Sequence, residues 1–175
     1  MTLATAARVL DGALAGRDTE FTGVSTDTRT LARGDLFVAL TGPRFDGHAF
    51  VPEAAARGAV GALVARAVDA VVPTVQVADT RLALGRLAAH WRAQFAIPVI
   101  AVTGSNGKTT VKNMIAAIMA ETGPGLATQG NLNNDIGVPL TLLRLRERDR
   151  YAVIEMGMNH PGEIDYLTHL TRPTI

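Results

Sequence analysis

The sequence predicts an α/β protein built on parallel β-sheets, and three observations support this fold class. A β-branched apolar run over residues 97–102 leads into a glycine-rich turn and then into a helical pattern over 109–120. Strand-length apolar runs alternate with helix-like segments along the chain, which favours right-handed crossovers. The character of the chain changes near residues 96–98. We therefore expect a small α/β domain over 1–96 and the first part of a second, parallel-sheet domain over 97–175.

The composition is that of an ordinary globular protein and disfavours several functional classes. Hydrophobic residues make up 47% and charged residues 19% of the 175 residues, and the net charge of +1 gives no electrostatic case for nucleic-acid binding. No apolar run approaches membrane-spanning length, and the N-terminus lacks the pattern of a signal peptide. The chain contains no cysteine, which excludes disulfides. We expect a monomeric, cytoplasmic protein that binds neither nucleic acid nor membranes.

The first segment alternates short strands with helices. A helix is predicted over residues 2–10, and another over 50–57 is expected to end at Gly58, because glycine readily takes the left-handed conformation of a helix end. A longer helix over 81–95 can be capped by the Thr80 hydroxyl. The β-rich runs predicted as strands are residues 21–25, 36–40, 60–64 and 74–77.

Two polar turns of this segment follow predicted strands. Residues 25–29 offer hydroxyls, a carboxylate and a guanidinium, and residues 45–48 form a second turn beside Arg44. Turns of this composition are commonly structural only, but strand ends of small α/β domains are also where ligands bind. Both interpretations remain open from the residues alone.

The turn that opens the second segment has the composition of a phosphate-binding P-loop. Gly104 and Gly107 bracket a bend in which several backbone N–H groups can point at one anion, and the following helix presents its positive end to the same anion. Lys108 supplies a cation, and the Thr109 hydroxyl can ligate magnesium. The spacing T-G-x-x-G-K-T-T is shorter than the common G-x-x-x-x-G-K-[ST] pattern. Lysine occurs only here and at Lys112 in the whole chain.

The rest of the second segment continues the alternation of strands and helices. Strands are predicted over residues 126–128 and 151–156, helices over 140–145 and 162–170, and the opening of a further strand over 172–175. With so few strands, the core of a parallel sheet would be uncovered on one side. We therefore expect this domain to be truncated.

Three polar features of the second segment are candidates for a site. Glu155 ends a strand, where a P-loop sheet presents a metal-binding carboxylate opposite Thr109, although a solvated glutamate is the alternative. Asn133 and Asn134 lie in a glycine-flanked loop and can either cap turns or recognise polar groups of a ligand. His160 can contact substrate or cap the next helix.

These runs together resemble the Mur ligases of bacterial cell-wall synthesis. The resemblance rests on T-G-S-N-G-K-T-T, G-N-L-N-N-D-I-G-V-P-L-T-L-L and I-E-M-G-M-N-H-P-G-E-I in the second segment. In the first segment it rests on S-T-D-T-R, G-D-L-F-V-A-L-T-G and D-G-H-A-F. It covers essentially the whole chain, and it implies a UDP-substrate-binding domain over 1–96 followed by a P-loop ATP-binding domain.

The resemblance also implies roles for particular residues. ATP phosphates are expected on Gly104, Ser105, Asn106, Gly107, Lys108, Thr109 and Thr110. Mg²⁺ is expected at Thr109 and Glu155, and Lys108 and Glu155 are expected to be the catalytic residues. The uridine end of the substrate is expected near Thr28, Arg29, Asp46, Gly47 and His48, and its muramoyl part near Asn133 and Asn134. His160 is a further candidate for substrate contact.

The reaction of the family branch that these runs favour forms an amide. ATP phosphorylates the terminal carboxylate of UDP-N-acetylmuramoyl-tripeptide, and the amine of D-alanyl-D-alanine then attacks the acyl phosphate. The alternatives are the ligase that adds the third peptide residue, a folylpolyglutamate synthetase, a nucleotide-dependent switch, and a substrate-binding module. Because family members carry further parts that bind ATP and the amine, we expect residues 1–175 alone to have little or no ligase activity.

Overall fold

The computed structural model describes residues 1–43 and 45–175, so Arg44, beside one of the predicted polar turns, lies outside the described residues. The chain forms two compact units, Met1–Leu87 and Ala88–Ile175. The division falls inside the helix Thr80–Arg92, before the predicted domain junction at 96–97. Each unit has mixed α/β structure, as the sequence predicted.

The first unit is built on a five-stranded sheet. Its strands are β1 (Ala13–Ala15), β2 (Gly23–Ser25), β3 (Asp35–Val38), β6 (Gly61–Val64) and β7 (Thr74–Gln76), and a separate two-stranded sheet is formed by β4 (Thr41–Gly42) and β5 (Phe45–Asp46). The helices are α1 (Leu3–Leu10), α2 (Val51–Ala56) and the start of α3 (Thr80–Arg92), with a 3₁₀ turn at Gly47–Phe50.

The large sheet has the strand order β1-β7-β6-β3-β2. Strands β2, β3, β6 and β7 are parallel, whereas β1 pairs antiparallel with β7. The polar turns after β2 and β3 therefore lie at one edge of the sheet, where the strands end. Buried side chains around Phe37, Val51 and Val64 form an apolar core.

Strand β1 and the β4–β5 sheet were not predicted from the sequence. Residues 13–15 contain no β-branched side chain and lie close to Gly12 and Gly16, so local propensity gives no strand signal. Strand β1 is specified by its partner, because Ala13 pairs with Gln76 and Ala15 with Thr74 along the edge of β7.

The predicted cap of α3 was wrong by one residue. Asp79 Oδ1 accepts hydrogen bonds from the backbone N–H groups of Arg81 (2.7 Å) and Leu82 (3.0 Å). The Thr80 hydroxyl instead donates to the Ala39 carbonyl oxygen at 2.9 Å and is buried. An aspartate two residues before a free N–H group is a favourable N-cap, so α3 begins at Thr80 itself.

The second unit contains a three-stranded parallel sheet in the order β8-β10-β9, made by β8 (Val99–Val102), β9 (Leu126–Ala127) and β10 (Ala152–Glu155). Its helices, besides the end of α3, are α4 (Lys108–Ala120), α5 (Gly137–Leu142) and α6 (Glu163–Thr171). Glu155 is in register with Val102, so the ends of β10 and β8 lie side by side. Residues 174–175 run along β8, with Ala101 N–H donating to the Ile175 carbonyl oxygen at 2.9 Å.

Helix α5 begins earlier than predicted. The Asn134 side-chain oxygen accepts from the N–H groups of Ile136 (3.2 Å) and Gly137 (2.8 Å), which starts the helix at Gly137 rather than at residue 140. A Cβ on Gly137 would lie 2.4 Å from the Leu132 Cα, so this position accepts only glycine. Within the described residues, no helix combines the length and apolarity needed to cross a bilayer.

Arg92 joins the ends of two helices in the second unit. Its guanidinium donates to the carbonyl oxygens of Phe95 (2.7 Å), Thr171 (3.0 Å) and Arg172 (3.3 Å), which follow α3 or end α6. Burial lowers the pKa of this guanidinium, and the nearby Arg172 charge lowers it further. The side chain thus supplies donors to three carbonyl groups at the helix ends, where intrahelical donors are lacking.

We expect Arg92→Met to lower the free energy of unfolding of the second unit by about 2 kcal/mol, because the apolar side chain leaves these carbonyls unsatisfied. Urea unfolding followed by the fluorescence of Trp91 would measure the change. Arg148→Met, at an exposed position of the same unit, is the matched control. An equal midpoint for the two variants would contradict this role of Arg92.

Candidate active site

The turn between β8 and α4 forms an open concave loop. Gly104 has a φ of 147° and Gly107 a φ of 76°, a conformation that favours glycine. An ideal Cβ on Gly107 would meet nothing within 4 Å, and one on Gly104 would meet only the Asn106 carbonyl oxygen at 3.8 Å. The glycines are therefore required by the backbone bend, not by crowding, and the space beside the loop is free for a ligand.

Positive groups converge on this loop. Helix α4 begins at Lys108, so its first-turn N–H groups lack intrahelical acceptors and carry the positive end of the helix dipole. The Lys108 ammonium folds back over the loop and donates to the Gly104 carbonyl oxygen at 2.7 Å. The residues predicted to hold phosphates are accessible: Lys108 is partly buried, and the others are exposed, namely Gly104, Ser105, Asn106, Gly107, Thr109 and Thr110. The arrangement suits a polyphosphate anion.

Glu155 lies at the same edge of the sheet, and its carboxylate is buried with 2% exposure. Oε2 accepts a hydrogen bond from the Thr109 hydroxyl at 3.0 Å, and Oε1 accepts one from the Asn133 amide at 2.9 Å. The structure thus brings together the carboxylate and the hydroxyl that sequence analysis paired. A buried carboxylate is costly unless such donors satisfy it, so its place here points to a role in the site.

The donor set fits a magnesium ion shared with a nucleotide. Among residues 1–43 and 45–175, no cluster of three or more His, Asp or Glu side chains could hold a metal. At this edge of the sheet, a cation could be bound by the Glu155 carboxylate and the Thr109 hydroxyl. Mg²⁺ prefers oxygen ligands and is commonly held by one or two protein groups together with phosphates and water.

Asn133 supports Glu155, a role that sequence analysis did not foresee. Besides its amide bond to the carboxylate, its backbone carbonyl oxygen accepts from Gly157 N–H at 2.7 Å. A Cβ on Gly157 would stand 3.1 Å from the Asn133 side chain, so glycine permits this close approach. Asn134 uses its side-chain oxygen to cap α5. Contact of either asparagine with substrate stays a prediction.

The loop after Glu155 is held by Glu163. The Glu163 carboxylate accepts from the N–H groups of Asn159 (2.7 Å) and His160 (3.2 Å), and these bonds lower the pKa of Glu163. The predicted alternative, in which His160 caps α6, was wrong: the residue at the cap position is Gly162, and the His160 backbone N–H binds the Glu163 carboxylate instead. Its ring is exposed, and its contact with substrate stays a prediction.

Lys112 belongs to the same network and was not predicted to have a role. Its side chain is 4% exposed, and its ammonium donates to the Thr128 carbonyl oxygen at 2.8 Å. The Thr128 hydroxyl accepts from Glu155 N–H at 2.9 Å. The scarcity of lysine, with Lys112 one helical turn after Lys108, was the available signal for it.

In the first unit, the two predicted polar turns meet at one cleft of about 540 Å³. Residues lining it include Asp27, Thr28, Arg29, Phe45, Phe50 and Glu53. Phe45 and Phe50 are 54% and 43% exposed, which is unusual for phenylalanine and gives the cleft an apolar face. Neither aromatic residue was among the predicted site residues.

The polar side of the cleft is held by internal hydrogen bonds. The Thr28 hydroxyl donates to Glu53 Oε1 at 3.0 Å. The Arg29 side chain and backbone N–H bind the Asp27 carboxylate and lower the pKa of Asp27 to about 2. The Arg29 guanidinium is otherwise solvent-exposed, so it is accessible to a ligand.

The predicted substrate residues of the second turn have different surroundings. Gly47 lines the cleft, and the Asp46 side chain is 40% exposed. His48 is buried, with Nδ1 beside Asp46 and Nε2 accepting from Ala65 N–H at 2.8 Å. Substrate contact by this turn stays a prediction, and the internal bonds of the His48 ring leave such contact to Asp46 and Gly47.

Comparison with known proteins identifies the domain types of the chain. Residues 102–175 match the Mur ligase middle domain, and residues 20–92 match the catalytic domain of the Mur ligase family. The UDP-N-acetylmuramoyl-tripeptide--D-alanyl-D-alanine ligase of Escherichia coli (strain K12) is 54% identical over 173 residues, which are 99% of this chain and 38% of that protein.

Solved structures of MurF ligases resemble the chain as well. The UDP-N-acetylmuramoylalanyl-D-glutamyl-2,6-diaminopimelate--D-alanyl-D-alanyl ligase of Acinetobacter baumannii superposes with a TM-score of 0.90 at 45% identity, over 98% of this chain and 40% of that one. The MurF ligase of Thermotoga maritima, solved with ADP, gives 0.77 at 32% identity, over 86% of this chain and 35% of that one. The chain spans less than half the length of these relatives. With both domain types matched in order, it belongs to the Mur ligase family.

Proposed function

We propose that this chain is the substrate- and nucleotide-binding part of an ATP-dependent ligase that joins D-alanyl-D-alanine to UDP-N-acetylmuramoyl-tripeptide in peptidoglycan synthesis. The observation that carries the proposal is the Thr109–Glu155 pair, 3.0 Å apart, beside the open loop at the start of α4. The reaction named for relatives that are 45–54% identical supports it, as does the ADP in the Thermotoga maritima relative.

The residues of the loop suit the transfer of a phosphoryl group. A carboxylate becomes an acyl donor only when one of its oxygens is turned into a leaving group. Transfer of the terminal phosphoryl group of ATP to the tripeptide carboxylate does this and releases ADP; attack by the dipeptide amine then forms the amide and releases phosphate. Lys108 and the α4 N–H groups hold and neutralise the phosphate oxygens throughout. Thr109 and Glu155 would hold Mg²⁺, which supplies further charge neutralisation when bound.

The cleft of the first unit suits the uridine end of the substrate. Phe45 and Phe50 offer aromatic surface for a nucleobase, while Thr28 and Arg29 offer a hydroxyl and a cation for the ribose and phosphates. The cleft also disfavours a nucleotide-dependent switch, because a switch needs no built substrate cleft ahead of its P-loop.

The substrate that the protein accepts separates the proposed ligase from its rivals. The ligase that adds the third residue and folylpolyglutamate synthetase use different substrates, and the reaction named for the relatives favours D-alanyl-D-alanine. A pure substrate-binding module would bind the UDP-linked tripeptide without binding nucleotide at Lys108. A monomeric state and a cytoplasmic location also stay predictions.

We expect Lys108→Met to weaken binding of Mg·ADP by about tenfold or more, because charge-assisted hydrogen bonds to phosphate are lost. Lys108→Arg should fail to restore affinity, since a planar guanidinium does not fit where a compact ammonium does. Isothermal titration calorimetry of the chain with Mg·ADP measures this, and Arg148→Met provides the control. Unchanged affinity in Lys108→Met would contradict nucleotide binding at this loop.

We expect Glu155→Gln to abolish the effect of Mg²⁺ on ADP binding. Glutamine keeps the shape and hydrogen-bonding reach of Glu155 but removes the negative charge that Mg²⁺ requires. ADP titrations with and without Mg²⁺ should differ for the wild type and coincide for the variant. Glu121→Gln, at an exposed position just after α4, serves as the control. A full Mg²⁺ effect in Glu155→Gln would place the metal elsewhere.

We expect Phe50→Ala to weaken binding of UDP by about fivefold, because aromatic contact with the base is lost. Chemical-shift changes in ¹H–¹⁵N spectra of the chain titrated with UDP give the affinity. Val71→Ala removes a 91% exposed apolar side chain of the same unit outside the cleft and is the control. Equal UDP affinity in the wild type and Phe50→Ala would contradict binding of the base in this cleft.

A further inference from the structure

We propose that His48 is a positioning residue for the cleft of the first unit. Its ring, fixed as the neutral Nδ1–H tautomer, ties the β4–β5 sheet to the end of β6 and so holds the Phe45 side of the cleft in place. The functional part of this inference rests on the proposed function, in which the cleft takes the uridine end of a UDP-linked substrate.

The hydrogen bonds of the ring determine its tautomer. Ala65 N–H donates to His48 Nε2 at 2.8 Å, and a backbone N–H can only donate, so Nε2 carries no proton. His48 Nδ1 lies 2.5 Å from Asp46 Oδ1. Two nitrogens with these partners require one acceptor and one donor, so the proton is on Nδ1.

Asp46 is held as an acceptor by its other partners. The His48 backbone N–H donates to Oδ1 at 3.0 Å, and the Arg66 guanidinium donates to Oδ2. The hydrogen bonds from the His48 backbone N–H and from the Arg66 side chain hold the pKa of Asp46 well below its usual range. The carboxylate is therefore ionised at neutral pH and can only accept from Nδ1.

These contacts connect two parts of the first unit that are distant in sequence. Ala65 and Arg66 directly follow β6, and they bind His48 and Asp46 respectively. The β4–β5 sheet has only two residue pairs, Thr41 with Asp46 and Gly42 with Phe45, and it is not part of the five-stranded sheet. A sheet of this size is not stable by itself, so its position depends on such anchors.

Burial separates positioning from direct binding. His48 is 5% exposed and both ring nitrogens have internal partners, so the ring has neither surface nor free polar atoms for a ligand. Phe45 precedes His48 by three residues in the sequence, lines the cleft and is 54% exposed. The ring therefore acts on the cleft through the chain that it fixes.

Two variants remove the two hydrogen bonds of the His48 ring one at a time. Glutamine reaches as far as Nε2, so His48→Gln keeps an acceptor for Ala65 N–H and loses the donor to Asp46. Asparagine ends near the position of Nδ1, so His48→Asn keeps that donor and does not reach Ala65. His169→Gln, at an exposed histidine of the second unit, is the matched control.

The experiment uses the ¹⁵N-labelled 175-residue chain. Long-range ¹H–¹⁵N spectra at neutral pH should show the His48 proton on Nδ1 and none on Nε2. Hydrogen exchange should show the Gly47 amide, which donates to the Leu40 carbonyl oxygen at 2.8 Å, exchanging about tenfold faster in either variant. The control should exchange as the wild type does, and UDP affinity should fall about threefold or more in both His48 variants.

A proton on Nε2 of wild-type His48, or a wild-type Gly47 exchange rate in both variants, would overturn the proposal. The tautomer is measured on the wild type, so this result tests the proposal even if a variant does not fold. If the tautomer and the Gly47 rates are as expected but UDP leaves the cleft amides of the wild type unshifted, the ring still positions the Phe45 side and the uridine assignment alone fails.

Discussion

The buried carboxylate of Glu155 is the constraint on which the second unit depends. A carboxylate with 2% exposure is tolerated only if polar groups satisfy it, and donors from two separate elements meet that demand. Thr109 comes from α4, Asn133 from the loop before α5, and the Thr128 hydroxyl binds the backbone beside the carboxylate. Removing any one element would leave buried polar groups partly unsatisfied, so the site and the fold around it depend on the same bonds.

Lys112 adds a second contact between α4 and the ends of the strands. Thr109 and Lys112 are three residues apart on α4 and so lie on the same helix face. One binds Glu155 and the other binds Thr128, so the first turns of the helix are attached to the ends of both β10 and β9. The rotation of α4 about its axis is thereby fixed, which sets where the Lys108 ammonium and the first N–H groups point. A rigid support of this kind is what a phosphate site needs for orientation.

The first unit follows a different principle, because its cleft is open and its polar groups pair with one another. Asp27 holds Arg29, Glu53 holds Thr28, and Asp46 is held by His48. These bonds fix the loops at the strand ends before any ligand arrives. Preorganisation of this sort lowers the entropy that binding has to overcome. The exposed Phe45 and Phe50 then supply the apolar contact that the polar loops lack.

Local signals in the sequence determined the fold class and the P-loop, because β-branched runs and glycine bends each act within a few residues. The pairing of Thr109 with Glu155 was predicted from the P-loop pattern, in which a strand-end carboxylate faces the start of the helix. The predicted helix limits lie within one residue of the observed ones for α1, α2, α4 and α6. They were wrong by up to three residues at α3, where Asp79 rather than Thr80 binds the free N–H groups, and at α5, where Asn134 binds them. Thr80 was correctly expected to form a hydrogen bond, but its partner is a carbonyl group of a distant strand end.

Tertiary structure alone decided the roles of Asn133, Lys112 and His48, and the existence of β1. Each depends on a partner more than fifteen residues away: Glu155, Thr128, Ala65 and β7. An amide, an ammonium or an imidazole can bind a ligand or the protein itself, and its chemistry is the same in both cases. Whether such a side chain binds a ligand or the protein depends on its burial and on the neighbours that folding brings close. The adjacent residues in the sequence determine neither.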